Sequence, residues 1–205
     1  MRLVTARPLD HDALTELFNI GLHRAAASLS ELTGQRIMVE LPRLWVCPIE
    51  ETHLRLRELI EGELATVHQI FMGNMTGDAI LVLEYDAASR LAALLTHGDV
   101  ASDGRLDQSA REVLTEVGNV ILSSCLSAFG DMLHVSVTFS VPRIHVESLE
   151  VMLRSLKVDS DELHYTLLVA TRFRLSEGEV GGYLMVAVGL TSLELISKSL
   201  AEREG

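Results

Sequence analysis

Two stretches of this chain share one pattern, LTELFNIGLHRAAASL at positions 14–29 and LTEVGNVILSSCLSAF at positions 114–129. Each contains a glutamate followed three residues later by an asparagine: Glu16 and Asn19, then Glu116 and Asn119. The two glutamates are 100 residues apart, and so are the two asparagines. Because sparse polar residues rarely recur at one constant separation, the pattern indicates a duplicated unit.

The duplication extends past these stretches. Pro42 and Pro142 also lie 100 residues apart, each beside a predicted strand. Gly77 and Gly182 begin the matching segments GDAILVL and GYLMVAV, which are 105 residues apart, so about five residues were inserted in a connection of the second half. We therefore predict one domain over residues 1–205, made of two repeats at about 9–98 and 106–203.

Both stretches have the spacing of amphipathic helices, with apolar residues on one broad face. The first helix is predicted over about residues 11–33, with Asp10 or Asp12 as its N-cap and Gly34 as its C-cap. A narrow polar stripe lies opposite the apolar face. It comprises Asp12, Glu16, Asn19 and His23, which fall within about 60° of one another at about 100° per residue.

The second helix is predicted to begin after Asp107 and to end at Gly130, and its stripe reads Glu112, Glu116, Asn119 and Ser123. A single polar residue on such a face is usually just solvated. Asparagine, however, is a poor helix former relative to alanine, so its recurrence in both copies favours a retained function.

The chemistry of the repeated pair follows from its groups. A carboxylate can pair with a lysine or arginine, and a carboxamide both donates and accepts, so that it can hold a water in one orientation. Neither group is a strong base or nucleophile. Such a pair can still accelerate hydrolysis of a labile phosphoryl bond by positioning the attacking water.

After each long helix the apolar pattern changes to that of strands. The predicted strands are 36–41, 44–47, 64–72, 78–85, 133–141, 144–153, 163–173 and 182–188. A shorter helix closes each half, at about 87–96 and 192–202, and residues 97–107 form the predicted linker. The result is an α+β fold whose two halves, each helix, strands and helix, pack about a pseudo-twofold axis.

Composition limits the classes of partner. The formal net charge of −12 repels nucleic acid, whereas an acidic surface suits a protein partner with a basic face. Cys47 and Cys125 do not form the close, even set of a disulfide framework. We find no export signal or membrane span, so we expect a cytoplasmic protein without membrane insertion.

Other chemistries find little support in the sequence. The eight histidines show no metal-ligand spacing with a carboxylate or thiolate. There is no nucleophile elbow, and the glycines at 178–182 lack the lysine and hydroxyl residue of a phosphate loop. We therefore expect no metal, cofactor or covalent nucleophile of the protein's own.

The doubled motif Asp/Ser-x3-Glu-x2-Asn-x22-Pro resembles the CheC family of chemotaxis phosphatases, the group that includes CheX and FliY. Asp12, Glu16, Asn19 and Pro42 fit the motif throughout, and the resemblance covers essentially the whole chain. It implies long helices packed on a largely antiparallel sheet. It also implies hydrolysis of the aspartyl phosphate on a CheY-type response regulator.

The resemblance implies a role for each motif residue. Glu16 and Glu116 would dock the regulator's active-site lysine, and Asn19 and Asn119 would orient the attacking water. The positions of Asp12 and Glu112 would contribute to binding. Mg²⁺ would belong to the regulator, the deamidase CheD would be a further partner, and the internal duplication favours a monomer.

Three residues depart from the family pattern. Glu112 stands where the motif has Asp or Ser, so the second site is expected to be weaker or differently shaped. Phe18 replaces a glycine that the second half keeps as Gly118, and we expect it to fill the core. His23, matched by Ser123, is expected to be a solvated bystander. A non-catalytic adaptor or switch module that binds a receiver domain or CheD remains the alternative function.

Overall fold

The computed structural model describes residues 10–96, 106–158, 164–175 and 178–201. In chain order its first half contains α1 His11–Thr33, β1 Met38–Val39, β2 Arg43–Pro48, α2 Ile49–Leu59, β3 Glu63–Gly73, β4 Gly77–Glu84 and α3 Tyr85–Leu95. The second contains α4 Gln108–Leu133, β5 Val137–Phe139, β6 Arg143–Ser148, α5 Leu149–Val158, β7 Tyr165–Leu175, β8 Gly178–Val188 and α6 Leu190–Ala201.

Within the described residues, eight strands form one sheet in the order β1-β7-β8-β4-β3-β5, with β2 also on β7 and β6 also on β3. Every pairing is antiparallel, as expected. The first two strands of each half therefore pair with the other half. The predicted α+β class is confirmed, and the order of elements is the same before and after residue 100.

The sheet has helices on both faces. Alternate residues of β4 point in opposite directions. Leu81 and Leu83 pack with α1, α3, α4 and α6, whereas Ile80 and Val82 pack with α2 and α5. The two long helices, which carry the polar stripes, therefore cover the face of the sheet that has the larger core.

The long helices begin at aspartate caps. The Asp10 carboxylate accepts from the backbone N–H groups of Asp12 and Ala13 at 3.0 and 2.9 Å, and Gly34 ends α1 with a φ of 68°. On α4 the prediction of an end at Gly130 was wrong by one turn. The helix runs to Leu133 because that side chain continues the buried face.

The two long helices pack closely against each other. A Cβ added to Gly21 of α1 would lie 2.6 Å from the Cα of Cys125 on α4, so the glycine permits the contact. The rings of Phe18 and Phe129 meet edge to face, with centroids 4.9 Å apart. Phe18 is fully buried, which confirms that it fills the core.

Helix α4 packs on α1 and on the strands β3 and β4 of the sheet. A Cβ added to Gly118 would come within 2.5 Å of the Val67 Cγ1 on β3. By length and composition alone, α4 is apolar enough to cross a membrane. More than half of that stretch is buried inside the protein, which is what the core helix of a globular fold requires.

Two helices of the sheet's other face were missed. The strand predicted at 144–153 was wrong in its second part, since β6 ends at Ser148 and α5 follows. Leu149, Met152 and Leu153 have the i, i+3, i+4 spacing of a helix and are all buried. Helix α2 was likewise not predicted. The half-unit therefore has a middle helix as well as the outer two, and the strand predicted at 133–141 is limited to β5.

Candidate functional site

The structure exposes both copies of the polar stripe. Glu16 on α1 and Glu116 on α4 are exposed, and Asn19 and Asn119 are half-buried. We call the first pair site I and the second pair site II. Each site lies inside its helix, in the second and third turns of α1 and near the middle of α4, so its backbone is fixed by helical hydrogen bonds on both sides. The backbone that carries each pair is therefore rigid, and the glutamate side chains are accessible to a partner.

At site I the two side chains contact each other. Asn19 Nδ2 donates to Glu16 Oε2 at 3.5 Å, which is the long limit for a hydrogen bond. The carbonyl oxygen Oδ1 of Asn19 is buried and has no protein partner among the described residues. The Asn19 carboxamide is thus held by one weak contact.

At site II the asparagine is held by the sheet. Gln69 Nε2 on β3 donates to Asn119 Oδ1 at 3.1 Å and to the backbone oxygen of Ser140 at 3.0 Å. Gln69 is only 2% exposed. A hydrogen bond in such a dry setting is stronger than one in water. Asn119 therefore has a fixed partner that Asn19 lacks.

Gln69 was not predicted from the sequence. It occupies an inward position of β3, between Val67 and Phe71, both of which are buried in the core. A glutamine in an otherwise apolar alternation was the available signal, since buried polar side chains require specific partners. The partner itself could not be read from the sequence, because it lies 50 residues away on α4.

The next stripe residue has an equivalent contact in both halves. His23 Nδ1 lies 2.8 Å from the backbone oxygen of Asn19, and Ser123 Oγ donates to that of Asn119 at 2.5 Å. His23 is exposed and engaged by the helix backbone, which agrees with its interpretation as a bystander.

The residues one turn before each glutamate lie at the start of the stripe. Asp12 is exposed in the first turn of α1, where the helix dipole favours a negative charge. Glu112 is exposed on α4, and its Oε1 accepts from Gln108 Nε2 at 2.8 Å. The longer side chain of Glu112 is thus paired along its own helix.

The thiols are poorly suited to covalent chemistry. Burial raises the pKa of Cys125 to about 12, and burial is also the main reason that the pKa of Cys47 is raised. Neither is a ready thiolate at neutral pH. Across the described part of the chain, no three His, Cys, Asp or Glu side chains gather as metal ligands would. The chemistry of the exposed stripe is therefore that of hydrogen bonds and charge.

No protein-family model matches this chain. Among curated proteins it is similar to the flagellar motor switch phosphatase FliY of Bacillus subtilis, at 22% identity over 198 residues, covering 96% of this chain. The chain spans half the length of that relative. It is also similar to the CheY-P phosphatase CheC of Bacillus subtilis, at 24% identity over 199 residues, covering 87% of this chain and 93% of CheC.

Solved structures share the fold. The FliY crystal structure from Thermotoga maritima matches with a TM-score of 0.76 at 17% identity, over 99% of this chain and 100% of that one. FliM from a FliM–SpeE complex of H. pylori matches at 0.64 and 13%, over 99% and 98%. A CheX–CheY–BeF3–Mg²⁺ complex from Borrelia burgdorferi matches at 0.52 and 18%, over 88% and 99%. Sequence and fold together support a relationship between this chain and the CheC family.

Proposed function

We propose that this protein is a phosphatase that hydrolyses the aspartyl phosphate of a CheY-type response regulator. The observation that carries the proposal is the repeated Glu–Asn pair, displayed with the glutamate exposed and the asparagine half-buried on both long helices. A solvated glutamate can pair with a regulator's lysine. A carboxamide beside it both donates and accepts hydrogen bonds, so it can position an attacking water.

In this mechanism Glu16 and Glu116 dock the regulator, and Asn19 and Asn119 each hold a water in line with the phosphorus. The water oxygen bonds to phosphorus as the bond to the aspartate oxygen breaks, which releases phosphate and the free carboxylate. Asp12 and Glu112 add contacts to the regulator at the start of each stripe. Mg²⁺ is held by the regulator, where it neutralises the charge on the phosphoryl oxygens.

The relatives support this reaction. Two of them are named as phosphatases: the CheY-P phosphatase CheC and the flagellar motor switch phosphatase FliY. A third relative, similar in fold, is CheX in a complex with CheY, BeF3 and Mg²⁺. The net charge of −12 also favours a basic protein partner and disfavours nucleic acid. We place the protein in the cytoplasm, expect a monomer because one chain carries both motifs, and regard CheD as a further candidate partner.

A second function is favoured by one observation. The FliM likeness covers nearly the whole of both chains, and FliM in that structure forms a complex with another protein. On this alternative the chain is a non-catalytic adaptor or switch module that holds a receiver domain or CheD on the same helices. The asparagines separate the two functions, because docking alone does not require a carboxamide at both sites.

The decisive experiment is the decay of the phosphorylated regulator with Asn19→Ala plus Asn119→Ala. We expect stimulated hydrolysis to be lost while binding changes by less than about threefold, because the glutamates remain. Ser28→Ala plus Ser127→Ala is the matched control, since these exposed residues lie about two turns further along the same helices.

A double asparagine variant that still accelerates decay at the parent rate would contradict the catalytic assignment. Binding without any acceleration by the parent protein would favour the adaptor function instead. Single variants at each site then measure how the activity is divided between them.

A further inference from the structure

The two sites hold their asparagines differently, and the difference can be traced to the equivalent strands β3 and β7. Val67 of β3 pairs with Ile144, and Val169 of β7 pairs with Leu44. Since Leu44 and Ile144 are equivalent residues of the two halves, Val67 and Val169 are equivalent as well. Two residues further along each strand, Gln69 therefore corresponds to Thr171.

Hydrogen bonds support this equivalence. Gln69 Nε2 donates to the backbone oxygen of Ser140, and Thr171 Oγ1 donates to that of Glu40 at 3.2 Å. Glu40 and Ser140 are themselves 100 residues apart. Only the glutamine has a second N–H on the same nitrogen, and it donates this one to Asn119. The threonine hydroxyl has a single proton, which is already used.

The packing of the helices adds to the difference. Gly118 is the residue before Asn119. Because it has no side chain, the backbone of α4 lies directly against Val67 of β3. At the equivalent place α1 carries Phe18, whose ring is directed to Phe129 of α4. Helix α1 accordingly packs on α4 and on the strands β1 and β2. The glycine therefore brings Asn119 within reach of β3, whereas the phenylalanine occupies the corresponding space under α1.

The contact also fixes which way the Asn119 amide points. The Ser140 oxygen can only accept, so the Gln69 atom beside it must be Nε2, and the Asn119 atom on the same nitrogen must be Oδ1. This leaves the Nδ2 hydrogens and the second lone pair of Oδ1 to hold a water. At site I no such partner fixes the Asn19 carboxamide, whose buried Oδ1 is unpaired in the described structure.

We propose that Gln69 is a positioning residue for Asn119, and that it makes site II the pre-organised and more active of the two sites. The catalytic part of this inference rests on the proposed phosphatase function. A carboxamide already fixed in the productive orientation loses no rotational freedom when the transition state forms. Site II is therefore expected to be the more active site, whereas Glu112 at the first position of the motif, taken alone, predicts that site II is the weaker one.

The kinetic test uses Gln69→Met, which keeps an unbranched chain of similar length in a buried position but cannot donate. In an Asn19→Ala background, where only site II works, we expect kcat to fall about tenfold with KM for the phosphorylated regulator nearly unchanged, as for the loss of one positioning hydrogen bond. In an Asn119→Ala background the same change should have no effect. Thr171→Val is the matched control and should leave the rate unchanged in both backgrounds.

Several results would overturn the inference. These are an unchanged kcat for Gln69→Met in the Asn19→Ala background, an equal loss in both backgrounds, or equal losses for Asn19→Ala and Asn119→Ala alone. Thermal melting checks that each variant folds. If Gln69→Met does not, Gln69→Leu serves in its place, because its apolar side chain suits the buried position and has no donor.

A second measurement does not depend on phosphatase activity. In ¹⁵N-labelled protein, the heteronuclear NOE of the Asn119 side-chain amide should be higher than that of Asn19, and Gln69→Met should lower it to the Asn19 value. Equal values in the parent protein would refute the positioning role. If the parent protein fails to hydrolyse the phosphorylated regulator, the proposed function is wrong, and the NOE still decides whether Gln69 positions Asn119.

Discussion

Ile80 and Met185 lie opposite each other across β4 and β8, and they are 105 residues apart in the chain. This is the separation of the matching segments that begin at Gly77 and Gly182. The two matching segments therefore lie side by side in the middle of the sheet, and both residues are buried.

The close approach of α4 to β3 can be tested at Gly118. We expect Gly118→Ala to destabilise the protein by about 1–3 kcal/mol, because the new methyl group would come within 2.5 Å of Val67. Urea unfolding measures the change. Gly181→Ala is the control, since its added Cβ would only reach ordinary contact with Arg172, at 3.9 Å. Equal stability of the two variants would show that α4 can shift away from the strand at little cost.

The proposed docking role of the glutamates predicts a salt-dependent loss of binding. Glu16→Gln plus Glu116→Gln should weaken binding of the phosphorylated regulator and reduce the dependence of its association rate on ionic strength, because two charges that attract a basic surface are removed. Stopped-flow association at low and physiological salt measures both effects. Glu31→Gln removes an exposed charge of α1 outside the stripe and should change neither by more than about twofold. Unaltered salt dependence in the double variant would remove the docking assignment.

Glu112 provides a test of the motif's first position. Its carboxylate is exposed and pairs with Gln108 on the same helix, an interaction that contributes a few tenths of a kcal/mol. We therefore expect Glu112→Asp in an Asn19→Ala background to change kcat by less than about twofold, a smaller effect than that of Gln69→Met. Single-turnover decay of the phosphorylated regulator is the measurement. A gain of tenfold or more would instead identify the extra methylene as the feature that limits site II.

Cys125 should make the folded state less stable in alkaline solution. Burial raises the pKa of its thiol from 9.0 to about 12, so between these values the unfolded chain loses a proton that the native protein keeps. Stability then falls with rising pH by up to about 1.4 kcal/mol per unit, and the effect is absent below pH 9. Compared with Cys125→Ala, the parent protein should lose about 2 kcal/mol more between about pH 8 and 10.5. Parallel pH profiles for the two proteins would contradict this.

The elements that were predicted well are those whose pattern is local and long. The cap at Asp10, the left-handed Gly34 and the apolar face of α1 all lie within one helix, so their spacing alone indicates the element. Helix α5 was misread because its short apolar segment follows β6 without a break, and short apolar runs do not separate the two periods.

The chain alone predicted the repeat, the two long helices and their polar stripes, because side chains three or four residues apart on a helix share a face whatever surrounds it. It could not reveal that β1 and β2 pair with β7, or that Gln69 meets Asn119. These contacts join residues distant in sequence, so they exist only once the two halves of the chain pack together. The sequence alone predicts two similar sites, and the tertiary structure makes them different, because Gln69 holds Asn119 and no equivalent contact holds Asn19.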